Sequence, residues 1–203
     1  HKNIFDNFTY NYLTNNNQPM QNRLYHVNDA VATGLASNED VSNPGYIFTN
    51  NDLTVNIANN FSYDEIGNLK RNSQKEIDEI TWTVNGKVKE VTRSLGSSKK
   101  NLRFQYDALG NRTAKYVYDN NWTLEKTEFY FRDATGNVMS IYTLLPDAQQ
   151  QAVSYAQTET FTYGSSRVAS NKETTELISP VPKGNVYSNK LGYKHFELTN
   201  HLG

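Results

Sequence analysis

Apolar residues in this chain come in short runs, and the runs stop at a polar phrase of recurring form: aromatic, Asp, two free residues, Gly, Asn. It reads Tyr63-Asp64-Glu65-Ile66-Gly67-Asn68, again Tyr106-Asp107-Ala108-Leu109-Gly110-Asn111, and again Arg132-Asp133-Ala134-Thr135-Gly136-Asn137. No run approaches the roughly 18 apolar residues of a membrane-spanning helix. A phrase repeated between short apolar runs predicts a stacked array of antiparallel β-hairpins, and a repeat changes how every other residue is read. The expected fold class is all-β.

The phrase has a physical logic. The aromatic ends a strand, and Asp opens a type I turn in which its carboxylate accepts backbone N–H groups two residues on. Gly then takes the left-handed conformation that a three-residue hairpin loop needs for its bulge. The chain returns as a second strand from Asn. That register places Asp107 opposite Asn111, Tyr106 opposite Arg112 and Phe104 opposite Ala114. Each such cross-strand pair contributes about 0.2–1 kcal/mol.

Weaker copies share the same template. In Ile80-Thr81-Trp82-Thr83-Val84-Asn85-Gly86-Lys87-Val88, Trp82 stands for the tyrosine and Gly86 for the turn glycine. A two-residue turn would set Lys89 opposite Trp82. The three-residue loop sets Val88 there, and it is preferred because it buries an apolar pair. Phe161-Thr162-Tyr163-Gly164-Ser165-Ser166-Arg167-Val168 is a further relative, with Gly164 in place of Asp. Near the start, Phe8-Thr9-Tyr10-Asn11 and Asn22-Arg23-Leu24 read as two halves of one copy, split by a polar insertion. The anchors are then 63, 82, 106, 132 and 163, and their spacing grows from 19 to 31 residues, which reads as a degrading array.

Composition narrows the class. Hydrophobic content of 36% and a mean hydropathy of −0.75 lean toward disorder, but 14 tyrosines and 12% aromatic residues lean back. Tyrosine forms strands and can bury its ring while its hydroxyl stays hydrogen-bonded, so a wet, folded β protein fits both. Asparagine occurs 27 times, which suits turns and loop edges. The net charge of −1, with Lys and Arg scattered and Lys99-Lys100 the densest basic point, gives nucleic-acid binding little support. Without cysteine there is no disulfide framework and no thiolate metal site. No signal-peptide pattern opens the chain, which reads as an internal fragment, and no membrane insertion is expected.

Along the chain, residues 1–28 read as the split hairpin, with Asn15-Asn16-Asn17-Gln18-Pro19 as an exposed loop. Residues 29–60 are irregular, with a helical turn at 30–36 and a turn at Asn43-Pro44-Gly45. Residues 61–143 are the dense hairpin region. Residues 145–158 read as an excursion between strands, partly helical after Pro146. Strands resume near 159–170 and 192–199, with Pro180 and Pro182 marking the loop between them, and no linker marks a domain boundary.

These residues resemble the Rhs and YD-repeat family: bacterial Rhs polymorphic toxins, the C component of insecticidal toxin complexes, and teneurins. The three Asp-x-x-Gly-Asn copies carry the resemblance. Tyr163-Gly164-Ser165-Ser166-Arg167 is similar to the element leading into the Rhs-associated core. Tyr193 to Gly203, with Asn200-His201-Leu202-Gly203, is similar to that core's opening Asp-His-Leu-Gly signature. Asn200 takes the Asp position, as in Bacteroidota-type members. The resemblance covers about residues 61–203, less closely 1–28. It implies residues 1–190 as repeat segment and 191–203 as the start of a truncated core. It also implies a spiral β-sheet forming part of a hollow shell that encloses a C-terminal toxin. Any autoproteolytic residues would lie downstream, so none is carried over.

Other chemistry is weak beside this. The histidines His1, His26, His195 and His201 invite a metal, but a spacing of six between the last pair has no ligand logic. Asp64, Asp107 and Asp133 could serve as paired carboxylates for glycoside hydrolysis, yet their identical contexts make them turn formers. Ser165 and Ser166 lack a Gly-x-Ser-x-Gly elbow. The aromatics Tyr63, Trp82, Phe104, Tyr106, Tyr130 and Tyr163 could stack carbohydrate, but read first as sheet glue. The sequons at Asn7, Asn60, Asn111 and Asn121 are expected by chance in so Asn- and Thr-rich a chain.

The expected role is therefore a non-enzymatic shell segment without cofactor or metal, secreted or on a bacterial cell surface. Its partners would be the rest of its own shell, a C-terminal effector cargo and secretion machinery. The alternative is a surface adhesion or carbohydrate-binding β module.

Overall fold

The computed structural model describes residues 8–15, 18–29, 60–147, 152–178, 192 and 194–197. Every regular element among them is a strand, and the strands pair antiparallel. The expected helical turn at 30–36, the turn at 43–45 and the signature Asn200-His201-Leu202-Gly203 lie outside the described residues. The chain divides into two compact units, 1–99 and 100–203, where the sequence showed no linker.

In the first unit β1 (Phe8–Asn15) pairs with β2 (Gln18–Asp29). The two halves of the split copy are thus the two strands of one hairpin, with Tyr12 opposite Leu24. The polar insertion is mostly strand rather than loop: Asn15 faces Gln18 and Thr14 faces Pro19. A meander comes next, β3 (Phe61–Tyr63), β4 (Leu69–Asn72), β5 (Ile77–Trp82) and β6 (Val88–Arg93). Trp82 faces Val88, as the three-residue loop requires, and Ile80 faces Val91 as a buried apolar pair.

The second unit continues the pattern with β7 (Asn101–Tyr106), β8 (Arg112–Tyr118), β9 (Leu124–Arg132), β10 (Val138–Pro146) and β11 (Ala152–Tyr163). Then come β12 (Arg167–Asn171), β13 (Thr175–Ile178) and β14 (Lys194–Phe196). Here the order is β7-β8-β9-β10-β11-β12-β14, with β13 pairing β11 beside β12.

Two expectations need correction. Residues 145–146 and 152–158 are strand and not an excursion: Leu145 faces Ser154, Leu144 faces Tyr155 and Tyr142 faces Gln157. Pro146 sits at the end of its strand beside a register shift, where its missing N–H breaks no ladder. Phe104 faces Lys115 rather than Ala114, because a bulge between Gln105 and Tyr106 absorbs one residue and reverses which side chains share a face.

Strand length explains the widening anchors. β3 has 3 residues, β5 and β7 have 6, β9 has 9 and β11 has 12. The Asp turns keep their form while these strands grow, so the wider anchor spacing accompanies longer strands.

Burial is thin. The buried apolar side chains among the described residues are Val27, Ile80, Val91, Ala114, Val117, Ala156 and Ala169. None of these is a Leu, Phe, Tyr or Trp, although such residues dominate a packed core. Many large strand side chains are half-covered, while Ile66, Val84, Leu95 and Leu109 stand exposed in the turns.

Candidate functional site: carboxylate turns and side-chain stitches

The structure places the phrase residues in one repeated device. In the β7–β8 turn, Asp107 N–H donates to Asn111 O (2.9 Å) and Gly110 N–H to Asp107 O (3.1 Å). Asp107 Oδ1 accepts the N–H groups of Leu109 (2.9 Å) and Asn111 (2.8 Å), while Oδ2 accepts Asn111 Nδ2 (3.1 Å). The Asp64 carboxylate binds the Gly67 and Asn68 N–H groups and the Asn68 amide. That of Asp133 binds Thr135, through its N–H and hydroxyl, and Asn137, through its N–H and amide. Gly67, Gly86, Gly110 and Gly136 all have positive φ, +69° to +100°, as this loop demands.

Asn at the end of the phrase does more than start the returning strand. Its side chain in fact closes the device by donating to the second carboxylate oxygen. Thr83 supplies a reduced version, its hydroxyl accepting from Lys87 N–H (3.1 Å). Gly164 departs from the pattern: it has no left-handed φ, and its N–H donates to Ser166 O (2.9 Å).

One copy escaped the sequence reading. Tyr118-Asp119-Asn120-Asn121-Trp122-Thr123 joins β8 to β9 with the same bonds: Asp119 N–H to Thr123 O, Trp122 N–H to Asp119 O, and the N–H groups of Asn121 and Thr123 to Asp119 Oδ1. Trp122 stands where the others have Gly, with φ +62°. Tyr118-Asp119 was the visible signal, and the absent Gly-Asn concealed it. The Trp122 ring packs on Tyr118 (5.2 Å between centroids), with Arg103 over both rings at 5.6 Å.

These bonds lower the carboxyl pKa values. For Asp133 the Thr135 hydroxyl is the largest cause, with the Asn137 amide next, and they hold it at about 2. Asp107 is lowered first by Asn111 N–H and Asp119 first by Thr123 N–H. At Asp64 desolvation is the largest influence and acts upward, but the donors from Asn68, Gly67 and Ile66 together outweigh it. Carboxylates so held are poor proton carriers at neutral pH.

The anchor residues do a second job. Tyr63 Oη donates to Leu24 O (2.9 Å), Trp82 Nε1 to Leu69 O (2.8 Å) and Tyr163 Oη to Val138 O (2.9 Å). Arg132 donates through Nε and Nη2 to Arg112 O (3.4 and 3.3 Å), and through Nη1 to Gly136 O in its own turn (2.6 Å). In each case the last residue before a turn reaches back to a carbonyl on the returning strand of the preceding hairpin, at the first residue of that strand for Leu69, Arg112 and Val138 and in mid-strand for Leu24. Between β8 and β9 the backbone pairing stops at Ala114 opposite Phe129, and Arg132 spans the opening beyond it. Arg can replace an aromatic here because the position needs a long donor. Arg23 adds a related link, donating to Asp64 O (3.3 Å) and Glu65 O (3.2 Å).

The remaining candidates are dispersed. His26 is buried in β2, and His195 is exposed on β14; His1 and His201 lie outside the described residues. Among the described residues no group of three or more His, Asp or Glu could hold a metal ion. Of the candidate aromatics, Phe104 (4.1 Å) and Tyr106 (5.9 Å) lie under Arg112, and Arg167 lies over Phe161 (5.2 Å), so two of them pack against a sheet arginine. Arg167 also pairs with Glu197 (2.5 Å), tying the residue after β14 to β12. Ser165 and Ser166 are exposed in the β11–β12 loop. No family model matches the chain, and no curated protein matches it either.

Proposed function

We propose that this chain is a wall segment of an Rhs-type β-shell, a non-enzymatic structural element that encloses or presents a C-terminal toxin or effector. One observation carries the reading: within each unit the stitches fasten a hairpin to the one before it, as growth of a sheet by added hairpins requires. Such a spiral YD-repeat sheet would act by confinement, with its partners being the rest of the shell and the cargo, and secretion or display at the cell surface delivering it. The thin apolar burial among the described residues supports a wall rather than a free-standing globule.

The test is to purify the parent protein from its native source, sequence the polypeptide downstream of Gly203, and probe it with protease. A complete core leading into an unrelated domain that resists protease until the shell is opened supports the proposal. A parent with no enclosed domain sinks it. The half-exposed Tyr118–Trp122 pair, with Trp122 in a backbone region that costs a bulky residue energy, favours a second reading as a glycan-binding module. A glycan array with no ligand for the folded protein removes that alternative.

A further inference from the structure

The β5–β6 turn carries the only Asn-Gly step in the chain, Asn85-Gly86. Several other asparagines among the described residues are held. Asn68, Asn111 and Asn137 each commit the side-chain amide to a carboxylate. Each also precedes a residue whose side chain crowds the next peptide nitrogen: Leu69, Arg112 and Val138. Asn60 and Asn101 are buried, and the side-chain oxygens of Asn72 and Asn171 accept backbone N–H groups from Lys75 and Glu173. Asn85 is exposed, and its side chain makes no hydrogen bond to a described residue. Beside it, the space where a Cβ on Gly86 would lie is open to 4 Å.

We propose that Asn85 is a site of spontaneous deamidation, an age mark built into the β5–β6 hairpin. The Gly86 N–H is held by Thr83 O at 3.0 Å, and that bond must open first. The Gly86 nitrogen then loses its proton to solvent base and attacks Asn85 Cγ. A N–Cγ bond forms, the Cγ–Nδ2 bond breaks, and the amide takes a proton and leaves as ammonia. Water opens the resulting cyclic imide at either carbonyl. Attack at Cγ leaves an aspartate at position 85; attack at the backbone carbonyl leaves an isoaspartate, with the chain running through Cβ and Cγ. Nothing is oxidised or reduced, and water is the one co-reactant. Both products add a negative charge. The isoaspartyl form also lengthens a loop closed by Thr83 N–H to Lys87 O (2.8 Å), so Trp82 loses its register with Val88 and its bond to Leu69.

The experiment ages the intact chain in mildly alkaline buffer and tracks each asparagine by peptide mass spectrometry, with isoaspartate-specific methylation as a second readout. The expected result is amide loss and methyl label at position 85 several-fold ahead of any other site, with a lowered melting temperature. Asn85→Gln should show neither change, and Asn85→Asp, melted before ageing, should show the effect of charge alone. The proposal is overturned if position 85 keeps its amide while other asparagines lose theirs, or if Asn85→Gln ages like the parent.

Discussion

An aspartate carboxylate in these turns does the work of several backbone acceptors at once, and that makes it sensitive to acid. Asp133 ionises at about 2 instead of 3.8, so its contribution to stability is fully present above about pH 3.8 and is lost as pH falls toward 2. Acid unfolding of Asp133→Asn should therefore show a flatter pH dependence across that window than the parent, measured by thermal melts at stepped pH. Glycine separates two turn types at the same scale. Gly136→Ala forces a Cβ into φ +94° and should cost about 1–2 kcal/mol. Gly164→Ala, with only Val168 Cγ1 nearby at 3.7 Å, should stay within about 0.5 kcal/mol in denaturant titrations. A similar Gly164 effect would mean the last loop belongs to the same type after all.

Elements are joined by two kinds of bond, ladder and stitch. Tyr163→Phe keeps the ring and removes only the donor to Val138 O, so it should destabilise by about 1 kcal/mol. Hydrogen exchange should rise most around residues 138–140 if the stitch is local. A cross-strand ion pair makes a comparable contribution inside the sheet. Glu128 lies between Lys115 (3.0 Å) and Lys126 (2.6 Å), its side chain only 14% exposed. Desolvation raises its pKa, and the two lysine hydrogen bonds overcome that and bring it below the usual value. Glu128→Gln should cost about 1–2 kcal/mol, and added salt should change that cost little because mobile ions screen a largely buried carboxylate weakly.

For the whole molecule, thin apolar burial among the described residues and the outer position of β14 set the expected solution behaviour. β14 is an edge strand with its three residues exposed, and Phe196 is 75% exposed. An edge of this kind invites pairing with another chain. The isolated protein should associate as concentration rises in sedimentation velocity, and Phe196→Lys should reduce that association. If the parent and Phe196→Lys both remain monomeric at high concentration, this edge does not drive association. Legibility tracks the same scale. Turns with both Asp and Gly were readable because a local hydrogen-bond pattern needs those residue types. The Asp119 turn was not, because tertiary contacts from Tyr118 and Arg103 allow Trp122 where sequence logic demands Gly.

The all-β class, the hairpin turns and the Trp82–Val88 register were determined by the sequence alone, since each depends on residues within a few positions of one another. The stitches, the Phe104–Lys115 register and the strand character of residues 152–158 were decided only by tertiary structure. A bulge reverses a face without any residue type announcing it, and a tyrosine donor finds its carbonyl 25 residues away only after neighbouring hairpins have paired.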